Sequence, residues 1–266
     1  MSAVRERRNI AIRSLQKMLG LQIWISTAFR IARQVLISIC DIIRVSGVSR
    51  FFRPGKYPDL VRRAIKDLSF WKRLVSSKAT MSFNYLLSRL PANEDKLSSD
   101  ACSSFGMAGV LLFAGPTNRY PGCEGLFWQS SWESWERVVT LPGLAPGQIK
   151  ICVAEFLAAL ITIETFATDC VGKLTYLELD NTTAHAWFQT ARCPRFPFDR
   201  CAQSTHLYIL EKNIKVRTRW ITSWENKIAD KCSRVEFCKG PPHHIICGLR
   251  MLKIKPLWKN VLKFIK

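Results

Sequence analysis

The residues of this sequence that could do chemistry together are carboxylates. Asp180 closes a short stretch, LTYLELD at 174–180, in which Leu174, Tyr176 and Glu178 alternate with Thr175, Leu177 and Leu179. Alternation of this kind marks a strand. The next residues, Asn181-Thr182-Thr183-Ala184, read as a helix start with Asn181 as N-cap. An acid at the carboxyl end of a strand, beside a helix start, sits where open α/β sheets place their ligands. Asp180 alone could equally be a cap, but three further acids bear on it. Asp100 lies in SSDACSS, among small residues that leave room near its carboxylate. Glu155 is early in an apolar helical run, with Cys152, Ala158 and Ala159 at i−3, i+3 and i+4, a small-residue face that can approach a sheet. Asp230 stands four residues after Asn226, the cap of a short helix. Singly, each is more readily a cap or a surface charge. Jointly, carboxylates that converge repel one another and are tolerable only when some are protonated or cations sit among them. Hard oxygen ligands at that density select Mg²⁺ or Mn²⁺. Two such ions about 4 Å apart would activate a water and stabilise the leaving oxygen of a phosphodiester. The expected metal ligands and catalytic residues are therefore Asp100, Glu155, Asp180 and Asp230.

The elements that must position these acids follow from periodicity. Residues 100–105, 109–113 and 122–128 read as three strands joined by tight Gly/Pro turns, an antiparallel meander. Residues 149–166 form a helix, with Val153, Phe156, Leu157, Leu160, Ile161 and Ile163 apolar. After the strand ending at Asp180 come a helix to about residue 190, an Arg/Pro-rich loop and a helix at 199–211. A strand at 214–221 puts Lys215, Arg217 and Arg219 on one face, and a last helix covers 226–234. The order βββ-α-β-α-α-β-α predicts a mixed α+β, α/β domain over 98–234, a five-stranded sheet with flanking helices. With its first and fourth strands adjacent, Asp100 and Asp180 would lie side by side.

Ahead of this domain, residues 1–97 are helical by pattern. Apolar residues recur at helical spacing from Ile10 to Ile43 as two helices, and Pro58-Asp59 opens a third with Leu60, Ala64, Leu68, Trp71 and Val75 as its stripe. Arg62, Arg63, Lys66, Lys72 and Arg73 occupy its other faces, either as a solvated surface or as one that tracks a phosphate backbone. The polar stretch 91–99 (PANEDKLSS) marks the domain boundary. Residues 235–266 form a basic tail.

Charge is distributed in the same three blocks. Residues 1–97 hold 19 Lys/Arg against 6 Asp/Glu, 98–234 hold 14 against 13, and 235–266 hold 7 against 1, for a net charge of +20. A neutral centre between basic arms suits a polyanionic partner, nucleic acid or an anionic membrane surface. The apolar run at 18–29 is too short to span a bilayer and no cleavage site follows it. It reads as a buried helix, with no stable membrane insertion. Ten cysteines without a C-x-x-C pair point to a reducing intracellular compartment, nucleus or cytoplasm. Cys232, Cys238, His243, His244 and Cys247 only loosely match a zinc knuckle, because the first gap is five residues, and free thiols are the preferred reading.

The segments VAEFLAAL, LELDNTTAHAWFQTARCPRFPFDR and WITSWENKIADKCSR resemble the ribonuclease H (RNase H) domain of retroelement polyproteins, above all that of DIRS-type (tyrosine-recombinase) retrotransposon reverse transcriptases. The matching positions are Glu155; Asp180, Asn181, Ala184 and Trp187; and Asn226, Ala229, Asp230, Ser233 and Arg234. The family's first acid matches Asp100-Ala101, with Cys102 where the family has Ser. More loosely, SLQKMLGLQIWISTAFRIARQVL and DLVRRAIKDLSFWKRLV are similar to the thumb and connection that precede the nuclease. No Tyr-x-Asp-Asp polymerase motif occurs in the 266 residues, so the resemblance covers the thumb, connection and nuclease without a polymerase site, and a separate polymerase chain is one partner it would suit. The resemblance implies an RNase H-like fold and a two-metal endonuclease, using Mg²⁺ or alternatively Mn²⁺, that cuts the RNA strand of RNA–DNA hybrids. Lys215, Arg217, Arg219, Arg62 and Lys66, with Asn181 beside the acids, would contact the nucleic acid. One departure is Trp220, in WITSWEN, where the family often has a loop His that would assist product release. It motivates a second reading, a catalytically idle nucleic-acid-binding remnant of a retroelement. A third, a membrane-surface protein, rests on the basic amphipathic segment 254–266. The loop at 132–147, with two Trp and two Pro, has no assigned role.

Overall fold

The computed structural model describes residues 9–28, 35–76, 94–131, 151–191, 193, 198–234 and 248–252. The chain divides into two compact units, Met1–Met81 and Ser82–Lys266.

In the first unit, three helices pack with a two-residue strand pair. The helices are α1 (Ile12–Ala28), α2 (Ile37–Ser46) and α3 (Pro58–Ser76), and the strands are β1 (Ile10–Ala11) and β2 (Phe51–Phe52), which run antiparallel. Ile12, Leu15, Ile39, Ile42, Phe52, Leu60 and Ala64 form the core. Two expectations need correcting. The buried stripe of α3 runs through Leu60, Ala64, Asp67, Phe70, Trp71 and Leu74, whereas Leu68 and Val75 are exposed. The stripe tolerates Asp67 because the Ser38 hydroxyl donates to its carboxylate. The run beginning at Met18 is not wholly buried either. The helical phase set by Ile12, Leu15 and Leu19 carries Gln22 and Ser26 inward and leaves Leu21, Ile23 and Trp24 in solvent.

The second unit is built on a six-stranded sheet. Its strands are β3 (Lys96–Cys102), β4 (Gly106–Leu112), β5 (Gly125–Ser131), β6 (Leu174–Leu179), β7 (Lys215–Trp220) and β8 (Leu249–Met251), in the spatial order β7-β6-β3-β4-β5-β8. β3, β4 and β5 form the antiparallel meander, and β6, β7 and β8 join it in parallel pairings. The architecture is the expected mixed one, helical first and then a mixed sheet flanked by helices. The sixth strand was not expected: Leu249–Met251 lies within the segment read as a tail, yet it pairs with β5. Lys96 to Ser99, read as linker, are strand residues, and Leu97 and Ser99 are fully buried. Gly106, which falls in the first turn when strands are read at 100–105 and 109–113, is instead the first residue of β4; a Cβ there would lie 2.0 Å from the Ser130 carbonyl oxygen. It marks a close approach between strands, not a reversal.

Alternate residues divide the sheet into two faces. Leu97, Ala101, Met107, Leu111, Trp128, Leu177 and Leu179 pack with α4 (Ile151–Cys170), and α5 (Thr182–Thr190) and α6 (Phe198–Glu211) complete that core. Ala108, Val110 and Phe127 face the other way, onto Ala229 and Cys232 of α7 (Lys227–Arg234). Helix α4 is long and apolar enough to cross a membrane by composition, but it is buried here as the central helix of the fold. Its docking depends on Gly109. A Cβ at Gly109 would lie 2.0 Å from Thr162 Oγ1 and 2.3 Å from Trp128 Nε1. In that space the Trp128 indole N–H donates to Thr162 Oγ1 at 3.1 Å, and Thr162 donates to the Ala158 carbonyl at 2.7 Å. The buried indole is thereby satisfied where the helix meets the sheet.

Candidate metal centre

The parallel pairing of β3 with β6 sets the geometry. Lys96 lies opposite Tyr176 and Ser98 opposite Glu178. Carried two residues further, this register sets Asp100 across from Asp180. The two acids stand on adjacent strands because an intervening crossover, α4, returns the chain to the same sheet. Glu155 lies one turn into α4, and Ala158 and Ala159, fully buried, let the helix backbone come close to β3. Asp100, Glu155 and Asp180 each offer a carboxylate oxygen, and these atoms all lie within 4.8 Å of one another. Asp100 and Glu155 are 4% and 6% exposed, so solvent screens their charges little.

Electrostatics record that crowding. Burial, with the charges of Asp100 and Asp180 next, pushes the Glu155 carboxyl up to about 10; a hydrogen bond from the Ala101 backbone works against this without offsetting it. Burial likewise raises Asp100, to about 6, with Asp180 and Asp230 adding to the shift and the Ser233 hydroxyl opposing it. Glu155 thus keeps a proton at neutral pH that a cation would displace, and Asp100 keeps one only below about pH 6. The donor set is all carboxylate oxygen, with no thiolate or imidazole in the cluster. That composition fits a hard divalent cation such as Mg²⁺ or Mn²⁺ better than zinc.

The fourth acid is held differently. Asp230 Oδ1 accepts from Arg234 Nε at 2.8 Å and lies 2.6 Å from Arg234 Nη2. It is close enough to raise both Asp100 and Glu155 but stands outside the three-carboxylate group. Three further residues act on the site. The Ser233 hydroxyl donates to Asp100 Oδ2, Asn226 Nδ2 donates to the Ser99 carbonyl at 3.1 Å, and Trp220 Nε1 donates to the Asp180 carbonyl at 3.1 Å. Sequence reasoning gave Asn226 the role of a helix cap, Ser233 a place in the resembled motif and Trp220 the place of a loop His, but none of these three contacts. The i+3 and i+4 spacing of Ser233 and Arg234 from Asp230 was the available signal for one shared helix face.

The nucleic-acid candidates fall in separate places. Asn181 is the N-cap of α5: its side chain accepts from the Ala184 backbone N–H at 3.0 Å. Lys215, Arg217 and Arg219 lie opposite Leu174, Tyr176 and Glu178. Rows Lys96–Tyr176–Arg217 and Ser98–Glu178–Arg219 therefore precede the Asp100–Asp180 row on one sheet face. Arg219 is partly balanced by Glu178, 3.8 Å away. Arg62 and Lys66 are exposed on α3 of the first unit, with Arg62 3.2 Å from Asp59. His206 packs between helices, its ring nitrogens 2.9 Å from the Ala202 and Phe188 carbonyl oxygens, and neither His206 nor His185 belongs to the acid group. Cys232 is a core thiol, whereas Cys238, His243, His244 and Cys247, the 132–147 loop and the 254–266 segment lie outside the described residues.

What this arrangement supports is a buried three-carboxylate centre suited to a divalent cation in a metal-dependent hydrolase. No protein-family model matches the chain, and no curated protein matches it.

Proposed function

We propose that the protein is an RNase H-type endonuclease that hydrolyses the RNA strand of RNA–DNA hybrids, akin to the nuclease portion of a DIRS-type reverse transcriptase. The observation that carries this reading is the convergence of Asp100, Glu155 and Asp180, from two strands and a helix, within 4.8 Å. The strand order, with the acid-bearing strands adjacent, and the acid-bearing helix packed on them agree with it.

In this reading Asp100, Glu155 and Asp180 hold Mg²⁺ or Mn²⁺, with Asp230 as the outlying fourth ligand. Bound there, the cation pair would supply an activated water and stabilise the leaving oxygen of the phosphodiester. The chain's own residues do the positioning. Ser233 orients Asp100, and the Trp220 indole fixes the backbone that carries Asp180. Arg217 and Arg219 line the face leading to the acids and would hold the backbone of the duplex; Arg62 and Lys66, exposed on the first unit, would suit a phosphate backbone in their own right. Recognition would follow duplex shape and the 2′-hydroxyl rather than base sequence.

Trp220 favours a second reading, in which the chain binds nucleic acid without cutting it, since the resembled family often has a loop His at this place. The test is a hybrid with a labelled RNA strand, incubated in Mg²⁺ with the protein and with Asp180→Asn. Cleavage of the RNA strand by the parent alone, leaving 3′-hydroxyl and 5′-phosphate ends, is expected. Ends bearing a cyclic phosphate would mean attack by the RNA 2′-hydroxyl and would contradict the proposal. Binding without cleavage would leave the idle remnant.

A further inference from the structure

The end of β7 and the turn that leads from it to α7 carry two exposed tryptophans, Trp220 and Trp224, the first of them bonded to the backbone of Asp180. Among the described tryptophans of this unit, Trp128 is sealed in the core and Trp187 meets Phe156 edge-on, with ring centroids 5.8 Å apart. Trp220 and Trp224 are instead 49% and 67% exposed. Neither belongs to a loose segment. Trp220 ends β7, and its indole N–H is spent on the carbonyl of Asp180, so one ring is fixed at the residue that carries a carboxylate of the cluster. The turn holding Trp224 is closed by Glu225 Oε2, which accepts from the backbone N–H and the hydroxyl of Thr222, both at 2.8 Å. Asn226, next in the chain, is anchored to the Ser99 carbonyl on β3. The Lys227 ammonium lies 5.9 Å from the Trp224 ring centroid, and Lys231 is exposed one turn further along α7.

Indole surface left in water on a braced turn, with cations beside it, has the chemistry of a nucleobase platform. Every base has a π-face, stacking on an aromatic ring is tolerant of sequence, and an adjacent ammonium suits the phosphate of the stacked nucleotide. A base inside a duplex is already stacked on both faces, so the ligand such a ring can take is an unpaired one. We propose that Trp220 and Trp224 form a stacking site for an unpaired nucleobase at the rim of the acid cluster, and that the protein therefore prefers a hybrid flanked by a single-stranded extension over a blunt one. This inference rests on the nuclease reading of the same site. It gives Trp220 a binding role at the place where the resembled family often has a His.

The experiment compares the affinity of the full chain for fluorescein-labelled hybrids in Ca²⁺: blunt, with a five-nucleotide extension on each of the four strand ends in turn, and with the same extensions made abasic. The expected result is that at least one extension tightens binding about tenfold over the blunt duplex, the scale of one stacked base. The abasic version should lose that gain. In Trp224→Ala the ratio of extended to blunt affinity should fall to about one, and in Trp224→Phe most of it should return, which a loss of folding would not mimic. Equal affinity of the parent for blunt and extended hybrids overturns the platform. A gain that survives removal of the bases also overturns it, because backbone charge would then be the cause. If the blunt hybrid is bound and cut while the extensions add nothing, the platform falls and the nuclease reading stands. If no hybrid is bound, both fall.

Discussion

Glu155 and Glu164 lie on one helix, both buried and both pushed upward by burial, but only Glu155 has carboxylates for neighbours. Glu164 Oε1 accepts from the Thr205 hydroxyl at 2.5 Å, whereas its Oε2 finds no partner among the described residues. Its carboxyl stands at about 7, above the ordinary 4.5. Between those two pH values the folded chain keeps a proton that the unfolded chain has lost, so folding stability falls as pH rises and levels off above about 7. The loss attributable to this one group is on the order of 3 kcal/mol at most. Urea midpoints at pH 5, 6, 7 and 8 should therefore decline less steeply in Glu164→Gln than in the parent; parallel declines would contradict the assignment. The acid cluster predicts a different signature. Asp180 raises both Asp100 and Glu155, so neutralising it relieves repulsion. Asp180→Asn should raise the Tm of the metal-free protein by roughly 2–4 °C. Mg²⁺ should then raise the Tm of the parent and leave that of the variant unmoved. A variant less stable than the parent without metal would mean that Asp180 serves the fold rather than a cation.

At the scale of elements, the helix α4 is what brings Glu155 to the strands, and its seating is set seven residues away, two helical turns, at Thr162. Gly109→Ala would drive a methyl into the Trp128–Thr162 contact. It should cost about 1–3 kcal/mol in chemical denaturation and weaken cation binding together with stability, because the whole helix must shift. Unchanged metal affinity in a destabilised variant would uncouple the seating from the site. The same elements show what could be read from sequence. The strand leading to Asp180, which ends one residue earlier than read, at Leu179, the Asn181 cap of α5 and the small-residue flank of Glu155 follow local rules of periodicity and capping, and they were legible. Strand β8 was not, because it pairs through its backbone with residues more than a hundred positions earlier, and the alternation of Leu-Arg-Met is too short to mark a strand by itself. Gly106 misled because a glycine in a turn and a glycine at a close approach look alike in sequence, and only the Ser130 carbonyl distinguishes them. Asp67 was passed over because its partner, Ser38, lies on another helix. At the candidate site, the three acids were legible by type and setting, but the brace from Trp220 to Asp180 was not, since it joins residues 40 positions apart.

Over the whole molecule, a net charge of +20 has to be reconciled with a centre made of acids. The two are compatible if the basic surfaces hold a polyanion while the acids hold the cations that act on it. Affinity for an RNA–DNA hybrid should then fall steeply between 50 and 200 mM salt, as counterion release requires when several phosphates are neutralised. A flat salt response would remove Arg217, Arg219, Arg62 and Lys66 from the interface. The central claim is the cation itself, and the most direct measurement is a Mn²⁺ titration of the folded, metal-free protein at pH 8, followed by electron paramagnetic resonance of the free ion. The parent should bind Mn²⁺ saturably, and Glu155→Gln/Asp180→Asn, shown to be folded by circular dichroism, should not. A folded parent that leaves Mn²⁺ free, or a double variant that binds it as tightly as the parent, would contradict the assignment of Asp100, Glu155 and Asp180 as a metal centre.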